Sequence, residues 1–437
     1  MRVHLRALGC RLNEAELQQW SRGFAAAGHD LTDAVEQADW IVLNTCAVTG
    51  EAGRRSRQLI RRAQRANPDA RIAVSGCYSS LEPDVVAAQA GVDLVVPNSE
   101  KDRLVDLALR AFVDAPAPLA RALQSAAAPY PRTRTRAFVK VQDGCRYRCT
   151  FCTVTLARGA ERSRAPAEII DEINAAVAAG VLEVVLTGVH LGGYQSQRID
   201  LAGLVQRILS ETDIARLRLG SVEPWDIPDR LYATLENPRF MPHLHLPLQH
   251  GTDGLLRRMG RRTRTKAFRE LAARLREARS GLALSTDLIV GFPGETAALA
   301  EQSQAFVESI GFDDLHVFPF SPRTGTAAAD FPERVEPDIR RARLRALTAL
   351  AASLRSAART RAIGASFDVL WEGHRTTTAD GEVWITGLAP NYLRCALRLP
   401  AADAARRLRT LERVRGVISD DGADRLIVQP ISIPDAP

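Results

Sequence analysis

The sequence predicts an α/β protein in three parts: an N-terminal parallel-sheet domain, an open (β/α)6 partial TIM-type barrel, and a small C-terminal all-β barrel. Three observations predict it. Apolar strand-like runs alternate with helical patterns up to about residue 363, a Pro-, Ala- and Arg-rich stretch without apolar period interrupts them at 113–133, and beyond Gly364 short alternating runs and Asp-rich turns replace the rhythm. At 437 residues the chain is too long for one ordinary core. Its 46% hydrophobic and 25% charged residues are those of a globular protein, which excludes a disordered, collagenous or coiled-coil chain. The domains are expected at 1–115, 131–363 and 364–432.

In the first domain, RVHLRAL (2–8), WIVLN (40–44), RIAVS (71–75) and DLVVP (93–97) read as buried strands, rich in β-branched residues. NEAELQQWSRGFAAAG and EAGRRSRQLIRRAQR between them read as helices. The second places Arg54, Arg57, Arg61 and Arg65 along one stripe, a solvated face or an RNA-backbone contact. Strands alternating with helices make a parallel sheet, whose ligands gather at the carboxyl ends of its strands.

The barrel strands are read at 137–142, 183–188, 216–221, 243–249, 285–291 and 314–320. Helices fall at 166–179, 201–210, 228–236, 265–279, 296–310 and 336–362. Six such units leave a barrel open on one side, able to admit a macromolecule. Polar residues at the strand exits line its mouth: Thr187, Gly188 and His190; Ser221 and Glu223; His245, Gln249 and His250; Asp287 and the turn Gly291–Glu295; Ser321 and Arg323. Past Gly364, SFDVLWEG, GEVWITGL, YLRCALRL and RLIVQPISI read as strands of a barrel of five or so. Trp371, Trp384, Tyr392 and Arg394 are available there to grip single-stranded nucleic acid, and Cys395 is a core thiol.

The net charge of +7 is concentrated in the middle, where residues 126–365 carry 34 basic against 26 acidic side chains. Such an excess permits an anionic partner such as RNA. The N-terminus lacks an apolar signal core and no stretch is apolar enough to span a membrane, so the expectation is a cytoplasmic protein with no membrane partner.

Cysteine placement carries the chemistry. Seven cysteines are too few for a disulfide scaffold. Cys145, Cys149 and Cys152 lie in GCRYRCTFC with C-x3-C-x2-C spacing, in the loop after the first barrel strand. A zinc site needs a fourth ligand, and no His or Cys occurs between Cys152 and His190. A [4Fe-4S] cluster on three cysteines leaves one iron open for a substrate or cofactor. Cys10, Cys46 and Cys77 each follow one of the first three strands within two residues, so all three enter one crevice and form a second metal-cluster site.

With these residues in view, the chain resembles the radical S-adenosylmethionine (SAM) methylthiotransferases over almost its whole length. That resemblance implies an N-terminal methylthiotransferase domain, a radical SAM core and a TRAM-like barrel. LGCRLNEAE, NTCAVTGEAGRRSRQLIR, SGCYS, TDLIVGFPGET and HVFPFSPRTGT look most like the members that methylthiolate N6-threonylcarbamoyladenosine beside the tRNA anticodon. Two departures are the run Thr153, Val154, Thr155 after Cys152, where the family shows an apolar pair and a proline, and His250 after Gln249, where a serine is usual; both are expected near the SAM or nucleoside pocket. By resemblance, SAM binds the open iron of the Cys145, Cys149, Cys152 cluster and is cleaved to a 5′-deoxyadenosyl radical. Gly188, Ser221, Glu223 and Gln249 are the SAM-binding candidates. The second [4Fe-4S] cluster carries the sulfur, a separate SAM methylates it, and the methylthio group enters at C2 of adenine. The implied partners are the tRNA anticodon stem-loop, a reductase or other electron donor, and a sulfur donor. Alternatives are isopentenyladenosine or a ribosomal-protein aspartate as substrate, and a non-catalytic iron-sulfur RNA-binding protein.

Overall fold

A computed structural model describes residues 1–113, 135–418 and 424–431. The expected linker, from residue 114 on, and the expected boundaries at 115, 131 and 432 lie outside the described residues. The N-terminal sheet is parallel, in the order Asp30–Leu31, Arg2–Ala7, Trp40–Thr45, Arg71–Gly76, Val92–Val96. Every residue of Trp40–Thr45 is buried, as a central strand covered on both faces requires. The two-residue edge strand Asp30–Leu31 is new relative to the sequence reading; it is exposed and carries no apolar alternation to announce it.

All six expected barrel strands are present. Arg136–Lys140, Glu183–Thr187 and Arg216–Leu219 form one parallel set, and His243–His245, Ala283–Val290 and Asp314–Pro319 the other. The isolated parallel bridges Leu217 to Phe240 and Ser221 to His245 join the two. Arg136–Lys140 and Asp314–Pro319 are the unpaired outer strands, so the barrel is open between them.

The N-terminal domain lies across that opening. Its helix Arg11–Ala26 packs on Arg136–Lys140, with the Phe138 amide donating to Gln18 Oε1 (3.0 Å). On the far side the Gly50 amide donates to Ser321 Oγ (3.0 Å), just past the last barrel strand. Between the two, Arg158 of the short helix Val154–Arg158 enters the N-terminal domain. It donates to Glu16 Oε1 (2.9 Å), Asp143 Oδ1 (3.1 Å) and Asn13 Oδ1 (2.8 Å). Lys101 joins the same two carboxylates, at 2.8 Å from Asp143 Oδ2, and Lys140 lies 4.0 Å from Glu16 and 3.9 Å from Asp143. All five groups are buried.

The C-terminal strands Ser366–Thr377, Glu382–Leu388, Arg394–Pro400, Leu426–Pro430 and Leu411–Ile418 close into a barrel in that order. Cys395 is buried in its core, as expected. Trp371 is also fully buried, with Nε1 donating to Glu412 (2.7 Å), so it cannot stack on a base.

Removing Lys101 leaves the buried Glu16 and Asp143 to share Arg158 and the more distant Lys140. Lys101→Met is expected to cost about 3–5 kcal/mol, read from the denaturant midpoint. A midpoint equal to wild type would show that the network does not join the domains.

Candidate functional site

The first cysteine group sits where three adjacent parallel strands end. Cys10 precedes helix Arg11–Ala26, Cys46 follows Trp40–Thr45, and Cys77 opens helix Cys77–Leu81 directly after Arg71–Gly76. Gly9 and Gly76 both adopt φ +104°, a left-handed conformation that lets the chain turn each cysteine into the crevice. A Cβ at Gly9 would lie 2.7 Å from Cys46 Sγ, and one at Gly76 would lie 2.2 Å from the Thr45 carbonyl oxygen. The backbone is braced around them. Cys46 N–H donates to Ser56 Oγ (3.1 Å), which donates back to the Cys46 carbonyl (2.8 Å). Asn98 Nδ2 donates to the Ala157 carbonyl (2.9 Å) and lies 3.7 Å from Cys77 Sγ.

Burial pushes the Cys46 thiol up to about 11, with Cys10 and Cys77 adding to the rise. Burial works to discharge Arg158, but Glu16, Cys77, Asp143 and Cys10 hold its pKa well above the usual value. The guanidinium therefore places a fixed positive charge beside the crevice.

The second group lies in the loop between the first barrel strand and Val154–Arg158. The Tyr147 and Val154 amides donate to the sulfurs of Cys145 and Cys152 (both 3.4 Å), and Arg261 Nη1 lies 3.9 Å from Cys149 Sγ. Burial pushes Cys145 up to about 11 and Cys152 up to about 12 against the pull of those amides. His190 is pinned between two carboxylates: Nδ1 is 2.5 Å from Glu161 and Nε2 is 2.6 Å from Asp226. Tyr147 donates its hydroxyl to Asp226 (2.9 Å). Ligand atoms of Cys145, Glu161 and His190 lie within 4.8 Å of one another, so the imidazole belongs to the wall of this site.

The residues fit two clusters of the three-cysteine type. All six thiols are free. Each set is mutually coupled, two amides aim at the sulfurs of one set, and a glycine cradle leaves room beside the other. The raised pKa values of Cys10, Cys46, Cys145, Cys149 and Cys152 keep those sulfurs protonated until a metal displaces the protons. Helix Val154–Arg158 starts two residues after Cys152 and its Ala157 packs in the N-terminal core with Cys77, so the crevice faces the barrel mouth.

The SAM candidates spread around that mouth. Gly188 lies against Gln142, whose Oε1 would meet an added Cβ at 3.0 Å and accepts from the His190 amide (2.8 Å). Ser221 Oγ pairs with His245 Nδ1 (2.8 Å), and Glu223 accepts from Arg261 (2.6 Å). Gln249 has φ +79° and donates its amide to the Asp287 carbonyl (2.8 Å). His250 turns away from the mouth, contrary to expectation. It is buried beside Thr252 and Glu295, whose carboxylate also pairs with Arg343 (2.9 Å), so both are structural. Thr155 Oγ1 donates to the Tyr147 carbonyl (3.0 Å) and braces the cysteine loop. The sequence reading missed Arg158, Glu16, Asn13, Lys101, Glu161, Asp226 and Arg261. Their partners lie far away in the chain.

Deeper in the barrel, Asp287 Oδ1 meets His245 Nε2 (3.1 Å) and His316 Nδ1 (3.2 Å), and the two rings stack at 5.3 Å. His316 is half exposed, at 49%.

An open parallel barrel with three free thiols in its first loop defines a radical SAM enzyme, and comparison with known proteins agrees. Residues 2–97 match the family model described as Uncharacterized protein family UPF0004, and residues 139–306 match the Radical SAM superfamily. The chain is 34% identical over 410 residues to the threonylcarbamoyladenosine tRNA methylthiotransferase MtaB of Bacillus subtilis, covering 91% of this chain and 90% of that protein. It is 34% identical to the MtaB of Thermotoga maritima (85% and 86% covered), and 33% identical to a tRNA-2-methylthio-N(6)-dimethylallyladenosine synthase of Cereibacter sphaeroides (85% and 87%). Among solved structures, the radical SAM methyltransferase TsrM of Kitasatospora setae shares the fold, with TM-score 0.56, 15% identity and 75% and 77% coverage. The chain belongs to the radical SAM methylthiotransferases. It is therefore an enzyme that depends on SAM and iron-sulfur clusters.

Asp287 and His316 make a pH signature. Burial opposes ionisation of Asp287, but its two imidazole partners hold it well below its ordinary 3.8, while the bond to Asp287 raises His316 above 6.5. Asp287 contributes stability above pH 3.8 and loses it as pH falls through the lowered value. His316 contributes below 6.5 and loses it as pH rises through the raised value. The stability difference between wild type and His316→Asn is expected to peak between those two ordinary values and to shrink in alkaline buffer, as read by urea unfolding. A difference independent of pH would contradict the pairing.

Proposed function

We propose that this enzyme methylthiolates C2 of N6-threonylcarbamoyladenosine next to the tRNA anticodon, using two [4Fe-4S] clusters and two SAM molecules per turnover. The observation that carries it is the pair of three-thiol sets brought to one mouth by the helix Val154–Arg158. When bound, SAM and the clusters supply one-electron chemistry at a C–H bond and a sulfur to insert.

The chain's own residues supply the rest. Cys145, Cys149 and Cys152 hold the SAM-binding cluster, with the Tyr147 and Val154 amides and Arg261 steadying the sulfurs. Gly188, Ser221, Glu223 and Gln249 border the SAM site. Cys10, Cys46 and Cys77 hold the second cluster, and Arg158 balances its anionic charge. His190, locked by Glu161 and Asp226, keeps the wall rigid and dry.

The division into residues 1–115, 131–363 and 364–432 is part of the proposal, with the last part a TRAM-like RNA-binding barrel. Arg54, Arg61 and Arg65 are exposed along one stripe, and with Trp384 and Arg394 they offer contacts to an RNA backbone and to bases. A tRNA substrate places the enzyme in the cytoplasm. An electron donor and a sulfur donor complete the reaction. Two of the relatives are named for threonylcarbamoyladenosine, which favours that substrate; the relative named for dimethylallyladenosine supports the isopentenyl nucleoside as a second reading.

Cys149→Ala is expected to abolish SAM cleavage. Cys46→Ala is expected to keep cleavage and lose sulfur insertion, with tRNA nucleosides followed by mass spectrometry. Equal loss of cleavage in both variants would contradict the division of labour, and mass added to isopentenyladenosine alone would replace the substrate.

A further inference from the structure

The amino end of the barrel carries an unusual floor. Arg136, Glu183, Arg216 and His243 each begin a strand there. Glu183 pairs with Arg216 (3.1 Å) and Arg218 (3.2 Å), and Glu372 takes Arg136 (3.0 Å). Arg11, the residue after Cys10, reaches in from the N-terminal domain and hydrogen-bonds the Tyr392 hydroxyl. Four guanidinium groups thus meet two carboxylates. Asp368, the next acid sensed by Arg216, is taken by Arg413 (3.4 Å).

Tyr392, from the C-terminal barrel, organises the floor. Its ring stacks on His243 at 4.7 Å, with Arg218 at 4.7 Å and Arg11 at 5.1 Å over it. It adopts φ +74°, a strained conformation for a tyrosine that its surroundings must hold. It is therefore not among the side chains free to stack on RNA, unlike the sequence expectation.

Arg216 Nη2 is a buried donor with no hydrogen-bond partner among the described residues; Arg136 Nη1 has only a distant ion pair with Glu183 (3.8 Å), and His243 Nδ1 is unpartnered while its Nε2 meets Ser285 Oγ (3.0 Å). Arg216 and His243 are more than nine-tenths buried. An unpaired buried donor beside surplus positive charge is costly unless an anion meets it. Burial, with Arg218 and Arg136 adding to it, draws Arg216 down to about 10 despite Glu183.

We propose that this floor of Arg11, Arg136, Arg216 and His243 around Tyr392 binds the carboxylate of the threonylcarbamoyl group on the target adenosine. The inference rests on the substrate given under Proposed function. Arg11 follows the cluster residue Cys10 directly, so a base whose C2 faces that cluster brings its N6 substituent toward the guanidinium. The C-terminal barrel roofs the floor, with Leu388 and Pro390 carbonyls accepting from Arg216 (3.1 Å) and Arg218 (3.0 Å). A carboxylate is the anion such a place would take from the base, whereas a backbone phosphate stays on the ribose side. An isopentenyl tip would leave Arg216 Nη2 unmet, which gives the enzyme a means to reject it.

The test compares binding of the cluster-loaded full chain to anticodon stem-loops carrying threonylcarbamoyladenosine or its carboxamide analogue. Wild type is expected to prefer the carboxylate by about tenfold or more, Arg11→Gln to lose the preference, and Arg11→Lys to retain part of it. Equal binding of both loops by wild type that still methylthiolates the threonylcarbamoyl loop would overturn the floor and leave the substrate standing. Uniform weakening in Arg11→Gln with the preference intact would make Arg11 a phosphate contact and also overturn it. Turnover on an isopentenyl loop alone would overturn the substrate itself.

Discussion

Arg158 must satisfy two domains at once. Its guanidinium leaves the barrel a few residues after Cys152 and is buried against Glu16 and Asn13 of the N-terminal domain and Asp143 of the barrel. A charge taken out of water is tolerated only if paired and hydrogen-bonded, so the two domains cannot separate without exposing or orphaning these groups. Lys101 and Lys140 complete the network, and Lys140 also pairs with Asp102 (2.6 Å), so three buried cations meet the carboxylates of Glu16, Asp143 and Asp102. Of the three, Arg158 also faces Cys10 and Cys77, the side on which three thiolates and a cluster would carry negative charge.

From that joint follow the shape and isolation of the mouth. The partial barrel is open between its first and last strands, and the N-terminal domain spans the gap, touching the first through helix Arg11–Ala26 and the far side through Gly50 and Ser321. The C-terminal barrel stops the other end through Tyr392. The N-terminal sheet, the open barrel and the C-terminal barrel therefore all border the barrel interior.

Much of this was legible in the sequence. Runs such as WIVLN and RIAVS announce buried strands by β-branched density, and the cysteines at their exits give the crevice without coordinates. Most boundaries moved by a residue or two, though the strand read at 243–249 ends at His245 and the helix read at 228–236 begins at Tyr232, and the helix Asp253–Arg258 and the strand Leu411–Ile418 went unnamed because they are short or densely charged. What stayed hidden was long-range. Arg158 meets Glu16 across 142 positions, and no local pattern encodes such a pairing. Trp371 and Tyr392 were misjudged for a related reason: composition offers an aromatic, and only packing decides whether it faces RNA, the core or another domain.

The central claim is that both cysteine sets hold clusters, and iron and sulfide per chain test it most directly. Anaerobically reconstituted wild type is predicted to hold about eight irons and the Cys145, Cys149, Cys152 triple alanine variant about four, as two [4Fe-4S] clusters require. About four irons falling to none would contradict the account, leaving Cys10, Cys46 and Cys77 without a cluster and the sulfur chemistry without a site.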